Sequence, residues 1–174
     1  MRQPPPSPLF KTDMNASSPS LPVARELLEA PTRLILDNYQ RLLGRELVPV
    51  ADPAQAVETL FEAPCVVLAA FGEFGTDHLF SYANRAGLLR FETTWEEMMG
   101  LPSSHSAEPV CREERRRLLD EVGRRGYIED YAGVRISRRG RRFRILRATV
   151  FNLLDEQGNY VGQAATFADW EELG

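Results

Sequence analysis

The side chains in this sequence best placed to do chemistry are arginines. From Arg142 onward, residues alternate along a strand, and that parity sets Phe143, Ile145 and Arg147 on one face, ahead of Thr149, Phe151 and Leu153. If that face is the core, Arg147 points into it. A guanidinium does not stay unpaired in an apolar interior. It needs a carboxylate partner, a bulge that turns it outward, or the acidic group of a ligand. The last reading makes Arg147 the anchor of a pocket, with Tyr82, Trp95, Phe143 and Phe151 as candidate walls. Aromatics at such spacing more often form plain core.

Other reactive types are sparse. His105 lies between Ser104 and Ser106, which hints at hydrolysis, but no strand-to-helix elbow presents either serine and no acid partner is evident. A histidine on a surface loop is the simpler reading. His78 falls in a turn. Asp130 is the one strand acid that could serve catalysis. The two histidines and two cysteines, Cys65 and Cys111, show no metal-ligand spacing. Cys65, in an apolar strand, is expected to act as a small hydrophobe. No glycine-rich loop precedes a lysine, so a phosphate loop of that type is excluded.

The chain has 174 residues, room for one domain and an extension. Twenty arginines stand against a single lysine, Lys11, and the charges are segregated. Residues 21–110 sum to −7 and residues 111–147 to +7, within a total of −4. The run Arg115-Arg116-Arg117, with Arg124, Arg125, Arg138, Arg139, Arg141 and Arg142, could contact a phosphate backbone. Against this, Glu113–Arg117, Asp120–Arg124 and Glu121–Arg125 are spaced as i,i+4 pairs, and the chain as a whole is acidic. Nucleic acid is therefore a disfavoured partner. The longest apolar run, Cys65 to Phe71, is far too short to span a bilayer, and the MRQPPPSPLF start carries no signal peptide. A cytoplasmic protein with reduced thiols is expected.

The elements that must position these groups follow from periodicity. Residues 1–20 are rich in Pro and Ser and read as a disordered tail. Residues 23–43 have helical spacing, broken once at Pro31 and closed by Gly44. Asp52-Pro53 starts a short helix that Pro64 stops. Cys65–Phe71 and Leu79–Tyr82 read as strands. Asn84 caps a short helix, and Thr94 with Glu97 forms a capping box for a second. A longer helix spans about Cys111 to Val122, its buried side formed by Leu118, Leu119 and Val122. Three antiparallel strands follow: Tyr127–Ser137, Arg142–Leu154 and Tyr160–Ala168.

This order, with Phe80-Ser81-Tyr82-Ala83-Asn84-Arg85-Ala86 at the strand-to-helix junction, resembles the PAS fold. The closer resemblance is to MEKHLA-domain proteins, a PAS-related family with small bacterial members. It rests on Phe61–Pro64, Tyr82–Ala86, Thr94–Glu97, Leu101–Val110, Gly126–Ile128, Asp130–Ile136, Gly140–Ile145 and Gly162–Ala165, within residues 40–168. The resemblance implies an α+β fold: a five-stranded antiparallel sheet with short helices on one face, and a small molecule or partner held between them. A flavin photosensor of this fold carries a reactive cysteine after the second short helix, where this chain reads Leu101-Pro102-Ser103-Ser104-His105. A haem sensor takes a histidine from the long helix, and residues 111–125 have none. Flavin adduct and haem are thus disfavoured, and the cofactor, if any, is unknown.

The expected organisation is a tail (1–20), an amphipathic helical extension (21–51), a PAS-like domain (52–170) and a short C-terminal tail (171–174). The expected function is a non-enzymatic sensory or interaction module. It would bind a small ligand or a protein partner and signal through that partner or its oligomeric state. Residues 21–51 are expected to dock on the domain or to mediate a homodimer. The alternatives are a small enzyme using the sheet–helix pocket and a nucleic-acid accessory protein using residues 111–147.

Overall fold

The structure, a computed structural model, describes residues 20–174. The expected N-terminal tail, except for Ser20, lies outside the described residues. One antiparallel sheet organises the rest. Strand β1 (Val66–Phe71) lies between β2 (Leu79–Ala83) and β5 (Tyr160–Phe167); β4 (Arg142–Leu154) and β3 (Tyr127–Ile136) follow, giving the order β2-β1-β5-β4-β3. A sixth strand, β6 (Asp169–Glu172), extends the five expected. Strand β5 pairs with β4 only from Thr149 to Leu154, and β6 fills the open edge from Phe143 to Leu146.

The handover from β6 to β5 falls at Arg147, where the backbone enters the left-handed region (φ 49°). The facing strand β3 slips register between Ile128 and Tyr131, with Asp130 at φ 58°. This paired irregularity moves side-chain parity by one residue. Phe143 and Ile145 before it, and Ala148 and Val150 after it, are buried on one side of the sheet. Phe151 belongs to the core of the opposite side.

Helices cover both faces of the sheet. On the first face lie α1 (Arg25–Leu43) and α2 (Ala56–Phe61), with Leu28, Ile35, Tyr39 and Leu60 packed against Val67, Ala69, Phe151, Leu153 and Ala164. Helix α1 runs unbroken through Pro31. The carbonyl that loses its partner there belongs to Leu27, which sits on the solvent side at 68% exposure, and Thr32 and Ile35 stay buried. Packing thus overrides the break expected at Pro31. Asn38 fastens α1 to the end of β4: its Nδ2 donates to Leu154 O (2.9 Å) and its Oδ1 accepts from Leu154 N (3.1 Å).

The second face carries α3 (Arg85–Arg90), α4 (Trp95–Met98) and α5 (Arg112–Arg125). Asn84 caps α3 by accepting from Gly87 N (3.0 Å), and the same oxygen accepts from Val67 N (2.9 Å), which ties the helix start to β1. Thr94 and Glu97 exchange the two hydrogen bonds of a capping box at α4. Helix α5 carries the ion pairs Glu113–Arg117 (3.4 Å) and Glu121–Arg125 (2.8 Å); Asp120 pairs with Arg116 (3.6 Å) rather than Arg124. Among the described residues, no helix is long and apolar enough to cross a membrane.

Candidate functional site

Between the second face of the sheet and α5 lies a cavity of about 290 Å³. Leu68 and Ala70 of β1, Ile145 and Val150 of β4, and Ala165 and Phe167 of β5 make an apolar floor. The roof is Arg112, Arg115 and Leu119 of α5, with the 3-10 turn Ser103–Ser106 beside it. The β1–β2 loop, Phe74 to His78, closes one end. Phe74 rests on α5 where Gly123 offers no side chain; a Cβ there would overlap the Phe74 ring.

Arg115 lies one turn before Leu119 on the buried stripe of α5. Its Nε is closed to solvent and has no hydrogen-bond partner. Burial, reinforced by the neighbouring Arg135, lowers its pKa to about 10 against the opposing pull of Asp77. At that value it stays charged at neutral pH.

Arg135 reaches the cavity from β3 and is only 8% exposed. Its Nη2 donates to the Tyr131 hydroxyl (3.1 Å) and its Nη1 to Val134 O (2.8 Å), with the guanidinium 5.6 Å from the Tyr131 ring centre. Tyr131 can fold back in this way because residue 133 is glycine: a Cβ there would overlap the Tyr131 hydroxyl. Strand parity puts Tyr131, Gly133 and Arg135 on one face, so the sequence builds the arrangement locally.

The remaining polar wall is already committed. Asp77 accepts from Ser104 N (3.2 Å) and from Ser104 Oγ (2.6 Å). Arg112 Nε donates to Ser104 O (3.2 Å) and Ala107 O (3.1 Å), holding the 3-10 turn against α5. His78 donates from Nδ1 to Thr76 O (2.9 Å), which leaves Nε2 to accept from the Tyr160 hydroxyl (2.7 Å). Burial holds His78 below the ordinary histidine range and pushes Tyr160 up to about 12. Gln163 Nε2 donates to Leu119 O (2.9 Å) and Asn152 Nδ2 to Gly123 O (3.0 Å), so two buried amides hang α5 from the sheet. Among the described residues, Arg112, Arg115 and Arg135 make no ion pair.

The structure does not bring the five residues singled out from sequence together. Arg147 is at the surface, 2.9 Å from Asp169, with its side chain 65% exposed. The parity that aimed it inward fails because the chain bulges at Arg147 itself. Tyr82, Trp95 and Phe151 belong to the core on the α1 side: Tyr82 meets Trp95 edge-on at 5.9 Å, and Phe151 meets Tyr39 at 5.4 Å. The Tyr82 hydroxyl is buried without a partner, and burial raises its pKa. Phe143 is on the cavity's side of the sheet but outside its wall, between Phe91 (5.3 Å) and the Arg90 guanidinium (4.1 Å).

Arg112, Arg115, Arg135, His78 and Gln163 were missed. A signal for three of them existed. The apolar stripe read from Leu119 and Val122 continues back one turn onto Arg115 and Arg112, and the spacing Tyr131–Gly133–Arg135 is a strand face. Asp130 and His105 are exposed and outside this wall, and neither cysteine lines it.

A sheet of order β2-β1-β5-β4-β3 with short helices and a longer α5 over a cavity defines a PAS-type domain. Solved structures agree on that fold. A PAS domain of a protein from Colwellia psychrerythraea is similar with a TM-score of 0.58, at 12% identity over 69% of this chain and 95% of that one. The light-state dimer of the fungal blue-light photoreceptor Vivid is similar with a TM-score of 0.53, at 17% identity over 78% and 93% of the two chains. A search of curated proteins gives no match. Within the PAS class, the MEKHLA domain model matches residues 29–172, and the chain belongs to the MEKHLA-domain family. The match takes in most of α1, in keeping with the core that this helix shares with the sheet.

Proposed function

We propose that the protein is a non-enzymatic sensory module that holds a small ligand between the sheet and α5 and passes occupancy on through α1. The observation that carries this is the cavity itself. It combines an apolar floor with a few buried polar groups, which is the make-up of a ligand site. Its titratable groups favour binding over catalysis. Ser104 donates to Asp77 and not to a histidine, and both nitrogens of His78 are engaged. The wall also offers no thiol for a flavin adduct and no free histidine nitrogen for a haem iron.

The sheet gives a route between the faces. Val150 and Gln163 line the cavity, while their chain neighbours Phe151 and Ala164 belong to the seat of α1. A ligand that shifts β4 or β5 changes the packing of Tyr39 on Phe151. It thereby biases α1 toward or away from a protein partner or a second copy of the chain, provided its affinity differs between the two states.

Native mass spectrometry of the purified full chain, with an absorbance spectrum, tests the reading. A copurified mass that is lost on denaturation, and whose rebinding changes amide exchange in α1, supports it. A protein that takes up no small molecule and still engages a partner would replace it with a pure interaction module.

A further inference from the structure

We infer that the cavity selects a small organic anion: an acidic head held by Arg115 and Arg135, and an apolar body over the sheet. This rests on the ligand-binding reading above and specifies its chemistry.

A guanidinium drawn partly out of water is costly unless something anionic meets it. Among the described residues, Arg115 makes no ion pair, and its Nε is buried without a hydrogen-bond partner. Three carboxylates border the cavity, and each is occupied elsewhere. Glu113 pairs with Arg116 (2.8 Å) and Arg117, Asp120 with Arg116, and both Asp77 oxygens accept from Ser104. On the inner wall, the guanidinia of Arg112, Arg115 and Arg135 thus outnumber the one carboxylate that faces them, Asp77. Nor is Arg135 neutralised: its partners are a phenol and a peptide carbonyl. Two unneutralised forks on opposite walls, one from α5 and one from β3, suit a planar or tetrahedral anion that accepts from both.

The rest of the cavity sets the body. Beneath the arginines the floor is aliphatic and aromatic, so a fully polar anion would leave most of it uncovered. At about 290 Å³ the cavity lies at the small end of the roughly 300–1,000 Å³ of small-molecule sites. A short-chain or single-ring acid meets both demands.

The test titrates the full chain by calorimetry with phenylacetate and octanoate, each against its neutral amide, and with phenyl phosphate. The acids are expected to bind more tightly than the amides by roughly ten- to a hundred-fold, the range of a charge-assisted hydrogen bond. Arg115→Met should weaken the acids far more than the amides, shrinking that preference toward what Arg135 alone supplies. Arg115→Lys, which keeps the charge but loses the fork, should retain more of it. Phenyl phosphate binding above phenylacetate would assign a phosphate head to the same site; the reverse assigns a carboxylate. Amides that bind wild-type protein as well as their acids overturn the inference while the ligand-binding reading stands. Failure of acids and amides alike, with no copurified mass, overturns the ligand-binding reading itself.

Discussion

Arg147 and Arg115 carry the same side chain, and only local geometry separates their roles. Arg147 sits at a bulge that throws it outward onto Asp169, where water screens the pair. An exposed ion pair contributes about 0.2–1 kcal/mol. Arg147→Ala should therefore lower stability by no more than about 1 kcal/mol and leave ligand retention unchanged, as read from urea midpoints and native mass spectra. Strict alternation could not show this, because a bulge leaves no clear mark in residue types. Arg115 was legible in principle from the helical stripe, yet its membership of an Arg-Arg-Arg run made it read as surface. His78 gives the residue scale a pH signature. Burial, with some help from Arg115, holds its pKa below the ordinary 6.5, against the pull of the Thr76 carbonyl and Asp77. As pH falls below 6.5 the unfolded chain takes up a proton that the native state refuses, so stability drops until native His78 protonates as well. Urea midpoints at pH 7.5, 6.5 and 5.5 should decline for the wild type and stay flatter for His78→Gln. The surface glutamates held low by arginines, such as Glu58 and Glu113, lose their contribution only in the more acidic range below 4.5.

At the scale of elements, α1 is seated by packing and by one buried side chain. Its apolar spacing was plain in the sequence, and so was the expectation that it docks. The continuous run through Pro31 was not, since the stabilisation that outweighs the lost hydrogen bond comes from Leu28, Ile35 and Tyr39 against a sheet distant in sequence. Asn38 was equally hidden. It is polar in an otherwise apolar stripe, and its meaning appears only when Leu154 arrives beside it. There its amide completes the backbone pairing at the end of β4. Asn38→Leu keeps the volume but strands the N–H and C=O of Leu154. At about 1–3 kcal/mol for each stranded group, a net loss near 2–4 kcal/mol is expected. Urea denaturation measures that loss, and faster amide exchange at Leu154 locates it. An unchanged midpoint would mean that α1 is held by its apolar face alone.

The whole molecule puts one sheet between two cores, and the two differ in finish. On the α1 side, Phe151, Leu153, Val67 and Ala69 are closed over by Leu28, Ile35 and Tyr39. On the α5 side, small residues of the floor, Ala70 and Ala165, face guanidinia across open space. Both faces of β5 mix small, polar and apolar residues, so no count along the strand could say which face is full. That distinction depends on what lies opposite, and α5 is distant in sequence. It also sets a test that separates folding from function. Ala165 projects into the cavity, and a larger aliphatic side chain there adds contacts without displacing any. Ala165→Leu should raise stability by about 0.5–2 kcal/mol, the usual return for filling a cavity. The same change should abolish uptake of the small ligand, because the body of the ligand and the new side chain claim the same volume. Melting temperature and native mass spectra of the variant decide it. A variant that is more stable and empty means that the open space is kept for binding. A variant that is less stable would show that the floor is already packed in solution, and the cavity would then lose its standing as a site.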